Sequence, residues 1–259
     1  MLGIEGFVGA FGAWALIGAG LAMAAGGFAK GVVGFALPLI ALSGMGSFLP
    51  FEVAVALLIL PTLVSNLFQG LRNGVAAARS SLMRYWRLIL VLVVMIAIAA
   101  QLVVALPDWL LFALLGTFIT GFGVLQLAGW QPRLRLKRRR FWEVATAFPA
   151  GFFGGISGIW GPPIVMYLLA AEVPKVEMVR VQALCFLAGS LVLFGAHLAS
   201  GVLNPMTLPI SAWLILPTLG AMFAGYLVQD RLDQEVFRRV TLVVLVLAGL
   251  NLLRRALMA

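Results

Sequence analysis

The chain has 259 residues, 63% of them hydrophobic and 10% charged, with a mean hydropathy of +1.10. That composition excludes a water-soluble domain, because successive apolar runs of about 20 residues are each long enough to cross a hydrocarbon core as a helix. The net charge of +9 would point to nucleic acid in a soluble protein; here it is assigned to the cytoplasmic ends of membrane helices, and no nucleic-acid partner is expected.

In chain order, the N-terminal run offers the small residues "LAMAAGG", as a signal peptide would. No Lys or Arg precedes Lys30, so the segment reads as retained. Residues 5–25 are long enough to span alone. The Gly-rich stretch "GFAKGVVGFALP" (Gly27 to Pro38) follows, then ordinary spans at 52–70, 86–106 and 109–129. The basic run "RLRLKRRR" (Arg133 to Arg140) divides the chain. A second Gly-rich stretch, "GFFGGISGIWGP" (Gly151 to Pro162), precedes spans at 177–199, 209–229 and 236–256. The runs do not alternate with polar residues, which excludes a β-barrel. Five tryptophans (Trp86, Trp109, Trp130, Trp142 and Trp213) lie at span ends as interfacial anchors; Trp160 instead sits inside the second Gly-rich stretch.

An offset of 124 residues lays the two Gly-rich stretches over one another, as G-F-x-x-G-x-x-G-x-x-x-P. With a small gap, Gly74 then matches Gly201 and Trp86 matches Trp213. The expected fold is an all-α polytopic membrane protein made of two homologous repeats. Each repeat is a Gly/Pro-broken helical segment plus three transmembrane helices. The expected division is an N-terminal membrane repeat over 1–130, a basic cytoplasmic linker over 131–142 and a C-terminal membrane repeat over 143–259.

Charge bears on the orientation of the repeats. If each broken segment crosses, the repeats are parallel, and Lys175, Arg180, Arg231, Arg238 and Arg239 fall opposite the other basic loops. If each segment enters and returns, the repeats are inverted. Those residues then join Arg72, Arg79, Arg84, Arg87 and the basic run on one side, leaving Arg254 and Arg255 on the other. The positive-inside bias favours inversion.

A broken helix in lipid leaves backbone groups that protein must bury or water must reach. Paired broken helices are the best sequence pointer to a carrier's binding site near the midplane. Half-helix N-termini offer N–H groups to an anion. Small residues most often serve helix packing, but the Gly-run-plus-Pro pattern at two equivalent places favours a site. The candidate substrate-binding residues are therefore Lys30, Gly31, Gly34 and Pro38 in the first segment, and Gly155, Ser157, Gly158 and Pro162 in the second. Lys30 adds positive charge, or else snorkels to an interface. Asn66 and Gln69, with Ser65, share one face of the first ordinary span. Gln182, Ser190 and His197 occupy the corresponding span of the second repeat. His197, the only histidine, is a candidate proton carrier or a packed interfacial residue.

These motifs and their placement resemble the TauE/SafE sulfite exporter family over nearly the whole chain. Family members commonly carry a G-x-G-G-G form of the first motif; here it is "GGFAKGVVG", with Lys30 among the glycines. The resemblance implies a multi-pass carrier of the bacterial inner membrane that exports sulfite or an organosulfonate such as sulfoacetate. The partners expected are a small anion and the lipid bilayer, and a homodimer is allowed.

Other classes fit less well. The single cysteine, Cys185, leaves no pair for redox relay and no cluster for metal. No catalytic residues, metal or cofactor are expected, since one His, one Cys and the absence of intramembrane carboxylates do not assemble a hydrolytic site. The alternatives are a non-transporting membrane subunit or scaffold, or a carrier for another small organic anion.

Overall fold

A computed structural model describes residues 2–99, 107–130, 138–157, 160–171, 173–229, 231 and 234–258. Among these, every regular element is helical: α1 Leu2–Phe11, α2 Ala13–Val33, α3 Leu37–Met45, α4 Phe51–Leu71, α5 Val75–Arg84, α6 Trp86–Ala99, α7 Asp108–Leu127, α8 Arg139–Ser157, α9 Gly161–Ala170, α10 Lys175–Ala199, α11 Thr207–Trp213, α12 Ile215–Gln229 and α13 Gln234–Met258. Four described stretches, Ala13–Val33, Phe51–Leu71, Val176–Ala199 and Thr207–Val228, are long and apolar enough to cross a membrane. Leu90, Val94 and Ile98 recur every fourth residue of α6 and face outward, as do Ile17 and Leu21 on α2. In water such stripes would be costly; in a bilayer they face lipid. The protein is a multi-pass membrane protein.

The first Gly-rich stretch ends α2 and starts α3. These helices run antiparallel, since Gly26 packs against Leu37 and Gly44 against Ala22. The turn between them needs Gly34, whose φ of 91° is left-handed and whose N–H bonds the Lys30 carbonyl at 2.7 Å. Pro38 lies in the first turn of α3, where a missing N–H costs no helical bond. In the second Gly-rich stretch Gly154 packs on Trp160, and Tyr167 donates to Glu143 at 3.4 Å, so α8 and α9 also fold back on each other. Each stretch is thus a helical hairpin.

Helices that the 124-residue offset makes equivalent pack together. Helix α4 lies antiparallel to α10, with Gly70 beside Leu184, and α7 lies antiparallel to α13, with Gly116 beside Leu253 and Gly123 beside Val246. The remaining long contacts exchange partners: α2 packs on α12 and α6 on α8. In the first of these the backbones nearly touch. A Cβ on Gly27 or Gly31 would overlap the carbonyl oxygens of Thr218 or Met222, and one on Gly225 would overlap that of Phe28. Here the glycines serve close packing, which the bilayer rewards through dispersion contacts.

Two details differ from the sequence expectation. The apolar run over 5–25 is interrupted at Gly12, whose φ is 84°. The basic stretch after residue 72, expected as a loop, contains α5, bent 80° from α6. Ala78 and Ser81 face inward on α5 while Arg79 and Arg84 face out, and Arg84 pairs with Glu177 at 3.0 Å. Gly74 and Gly201, matched in sequence, both have positive φ, 90° and 79°. Each precedes a short helix leading into a span.

Candidate functional site

The tip of the first hairpin meets the start of α9 inside the bundle. Phe35, one residue past the left-handed Gly34, lies against Gly161 at the start of α9. Around this meeting the apolar helices carry a set of buried polar side chains.

Lys30 is 1% exposed and donates to Asn66 Oδ1. Asn66 Nδ2 donates to Ser190 Oγ at 3.1 Å, and Ser190 Oγ donates to the Phe186 carbonyl at 2.6 Å. The Lys30 ammonium also lies 5.8 Å from the centre of the Phe186 ring. This chain links α2, α4 and α10. Among the described residues no carboxylate pairs with Lys30.

Next to it stand two glutamines. A Cβ on Gly34 would lie 3.1 Å from Gln69 Nε2 and 3.6 Å from Gln182 Oε1, so both amides lie beside the first hairpin's tip. Gln69 and Gln182 are buried, and neither side-chain polar atom of Gln69 nor Oε1 of Gln182 has a partner. Buried amides normally do. No side chain caps the N-terminus of α3 beside them. The arrangement combines Lys30, the unpartnered Gln69 Nε2 and a helix N-terminus, with no carboxylate paired to Lys30 among the described residues; Gln182 presents its Oε1, an acceptor, beside them. Chemically it suits a small oxyanion.

The sequence-predicted residues divide as follows. Lys30, Gly34, Asn66, Gln69 and Gln182 come together. Pro38 is buried in α3 just past the tip, and Gly155 is buried on α8. Gly31 instead faces the α12 backbone. His197 is fully buried with both ring nitrogens unpartnered, but α10 rises about 22 Å between Gln182 and His197. It is not part of this cluster. Gly158 lies outside the described residues, as do the side chains of Ser157 and Pro162. Phe186 and Trp160 were not among the expected site residues, because aromatic residues in an apolar span carry no pattern that separates a lining role from packing.

The family model of the sulfite exporter TauE/SafE family matches residues 6–252. No curated protein and no solved structure matches the chain.

Proposed function

The chain belongs to the sulfite exporter TauE/SafE family, a family of exporter-type membrane transporters, and on that premise we propose that it is a secondary carrier exporting a small sulfur-containing anion, sulfite or an organosulfonate, across the bacterial inner membrane. The observation that supports this most is Lys30, a buried lysine with no carboxylate partner among the described residues. An ammonium in such a place is costly. An anion bound beside it would offset that cost, and the oxygens of a sulfite or sulfonate can accept hydrogen bonds from Lys30 and from Gln69 Nε2 together. The uncapped α3 N-terminus adds partial positive charge on the same side.

The proposed carrier is an inverted repeat, 1–130 and 143–259, joined by the cytoplasmic linker 131–142. Equivalent helices that pair antiparallel, α4 with α10 and α7 with α13, need a two-fold axis lying across them. For membrane-spanning helices that axis lies in the membrane plane, which is the relation between inverted repeats. With α2 taken as the entering arm of the first hairpin, although it is long enough to cross alone, each repeat keeps three crossings, an odd number, in keeping with the charge split.

The test is flux from proteoliposomes loaded in turn with sulfite, sulfate, sulfoacetate, taurine and acetate. Saturable efflux of sulfite or a sulfonate is expected. Efflux of all five no faster than from protein-free liposomes would overturn the reading.

A further inference from the structure

At the 124-residue offset the two repeats differ at three positions that surround one ring. Ala36 corresponds to Trp160, Lys30 to Gly154 and Ser65 to Gly189. The Trp160 indole occupies the room those two glycines leave. A Cβ on Gly154 would lie 2.6 Å from Cε3 of Trp160, and one on Gly189 would lie 3.1 Å from Cζ3. The indole is 1% exposed and its centre is 5.8 Å from the Phe186 ring. Phe186 is the same ring that meets the Lys30 ammonium. Trp160 therefore adjoins the anion site, about one to two turns further along α10 than Gln182.

A packing role alone leaves one feature unexplained. The Trp160 Nε1–H is buried and has no acceptor, whereas a buried indole N–H usually finds one. A phenylalanine would fill the slot without that cost. The ring is seated close against the backbone of both glycines.

We propose that Trp160 belongs to the Lys30 site and that its Nε1–H is a donor to an oxygen of the carried anion, which satisfies the unpaired N–H. The proposal rests on the carrier reading above and adds a specificity-determining residue to it. An anion with several acceptor oxygens gains from this donor; a neutral apolar solute does not.

The test is Trp160→Phe, which keeps an aromatic ring and removes the donor. In proteoliposomes it should raise the half-saturating sulfite concentration about tenfold, the scale of one hydrogen bond to an anion, with background leak unchanged. An unchanged half-saturating concentration overturns the donor and leaves the carrier standing. If the wild type shows no flux, the carrier reading falls separately, and sulfite binding to the detergent-solubilised protein decides the donor: Trp160→Phe should bind about tenfold more weakly than wild type, and equal affinity overturns it.

Discussion

Asn66 donates through Nδ2 to Ser190 Oγ at 3.1 Å, and the two residues stand 124 positions apart, the same offset that superposes the two Gly-rich stretches. Residues that are equivalent under a two-fold relation touch one another only at the axis. The Asn66–Ser190 contact therefore marks the centre of the pairing between α4 and α10. About it, residues matched by the offset differ in chemistry. Lys30 has Gly154 as its counterpart, Gln69 has Leu193 and Gln182 has Leu58. The first hairpin's tip is surrounded by amides, and the residues equivalent to those amides are apolar.

This contact is structural as well as central. Asn66→Ala would strip the buried Lys30 of its acceptor, and should cost about 1–3 kcal/mol of stability. Ser190→Ala removes one neutral hydrogen-bond partner and should cost about 1 kcal/mol. Thermal unfolding in detergent, read by a buried-thiol dye on Cys185, should rank Asn66→Ala below Ser190→Ala and both below wild type.

The glutamines should behave in the opposite way. Their side-chain atoms have hydrogen-bonding capacity that nothing in the fold uses, so Gln69→Leu should leave the unfolding midpoint unchanged or raise it. If Gln69 binds the substrate, the same variant should weaken apparent sulfite affinity by about tenfold. A lowered midpoint with unchanged affinity would instead make Gln69 a structural residue.

Glycines of one motif should separate into two classes. Gly31→Ala forces a Cβ into the Met222 carbonyl and should lower the yield of folded protein, measured by fluorescence-detected size exclusion. Gly34→Leu places a side chain at a left-handed position beside Gln69. The strain is roughly 1–2 kcal/mol, small enough to leave most protein folded, while flux should be abolished.

Much of this fold is legible in the sequence because lipid imposes long apolar runs and because a rare Gly-Pro pattern recurs. The spans at 52–70, 177–199 and 209–229 follow from the first fact and the match of Gly74 with Gly201 from the second. The helix α5 was harder to foresee: its apolar positions are few, and its basic residues read equally well as a loop. The site was legible in part. Asn66, Gln69 and Gln182 are conspicuous because polar residues are rare in apolar spans. His197 was equally conspicuous, yet it lies far along α10, since sequence shows that a residue is polar without showing its height in the membrane. The two uses of glycine in "GFAKGVVG" were not separable either, because both a packing glycine and a turn glycine lack the same Cβ.

Orientation follows from the paired antiparallel helices and the basic linker. Both termini are predicted outside, with Arg133 to Arg140 in the cytoplasm. An alkaline phosphatase fused at the C-terminus should be active, and a fluorescent protein that matures only in the cytoplasm should be dark there. The reverse result would require parallel repeats.

The central claim is that Lys30 supplies the charge that binds the transported anion. Coulomb attraction at about 4 Å is roughly 1 kcal/mol in bulk water and about 4 kcal/mol at an effective dielectric of 20, and each 1.4 kcal/mol is about tenfold in binding. The decisive measurement is sulfite flux against concentration for wild type, Lys30→Gln and Lys30→Arg in proteoliposomes matched for protein. The half-saturating concentration should rise by roughly ten- to a few hundred-fold in Lys30→Gln, with a smaller rise in Lys30→Arg. A half-saturating concentration unchanged in Lys30→Gln would contradict the claim and leave Lys30 as a structural partner of Asn66.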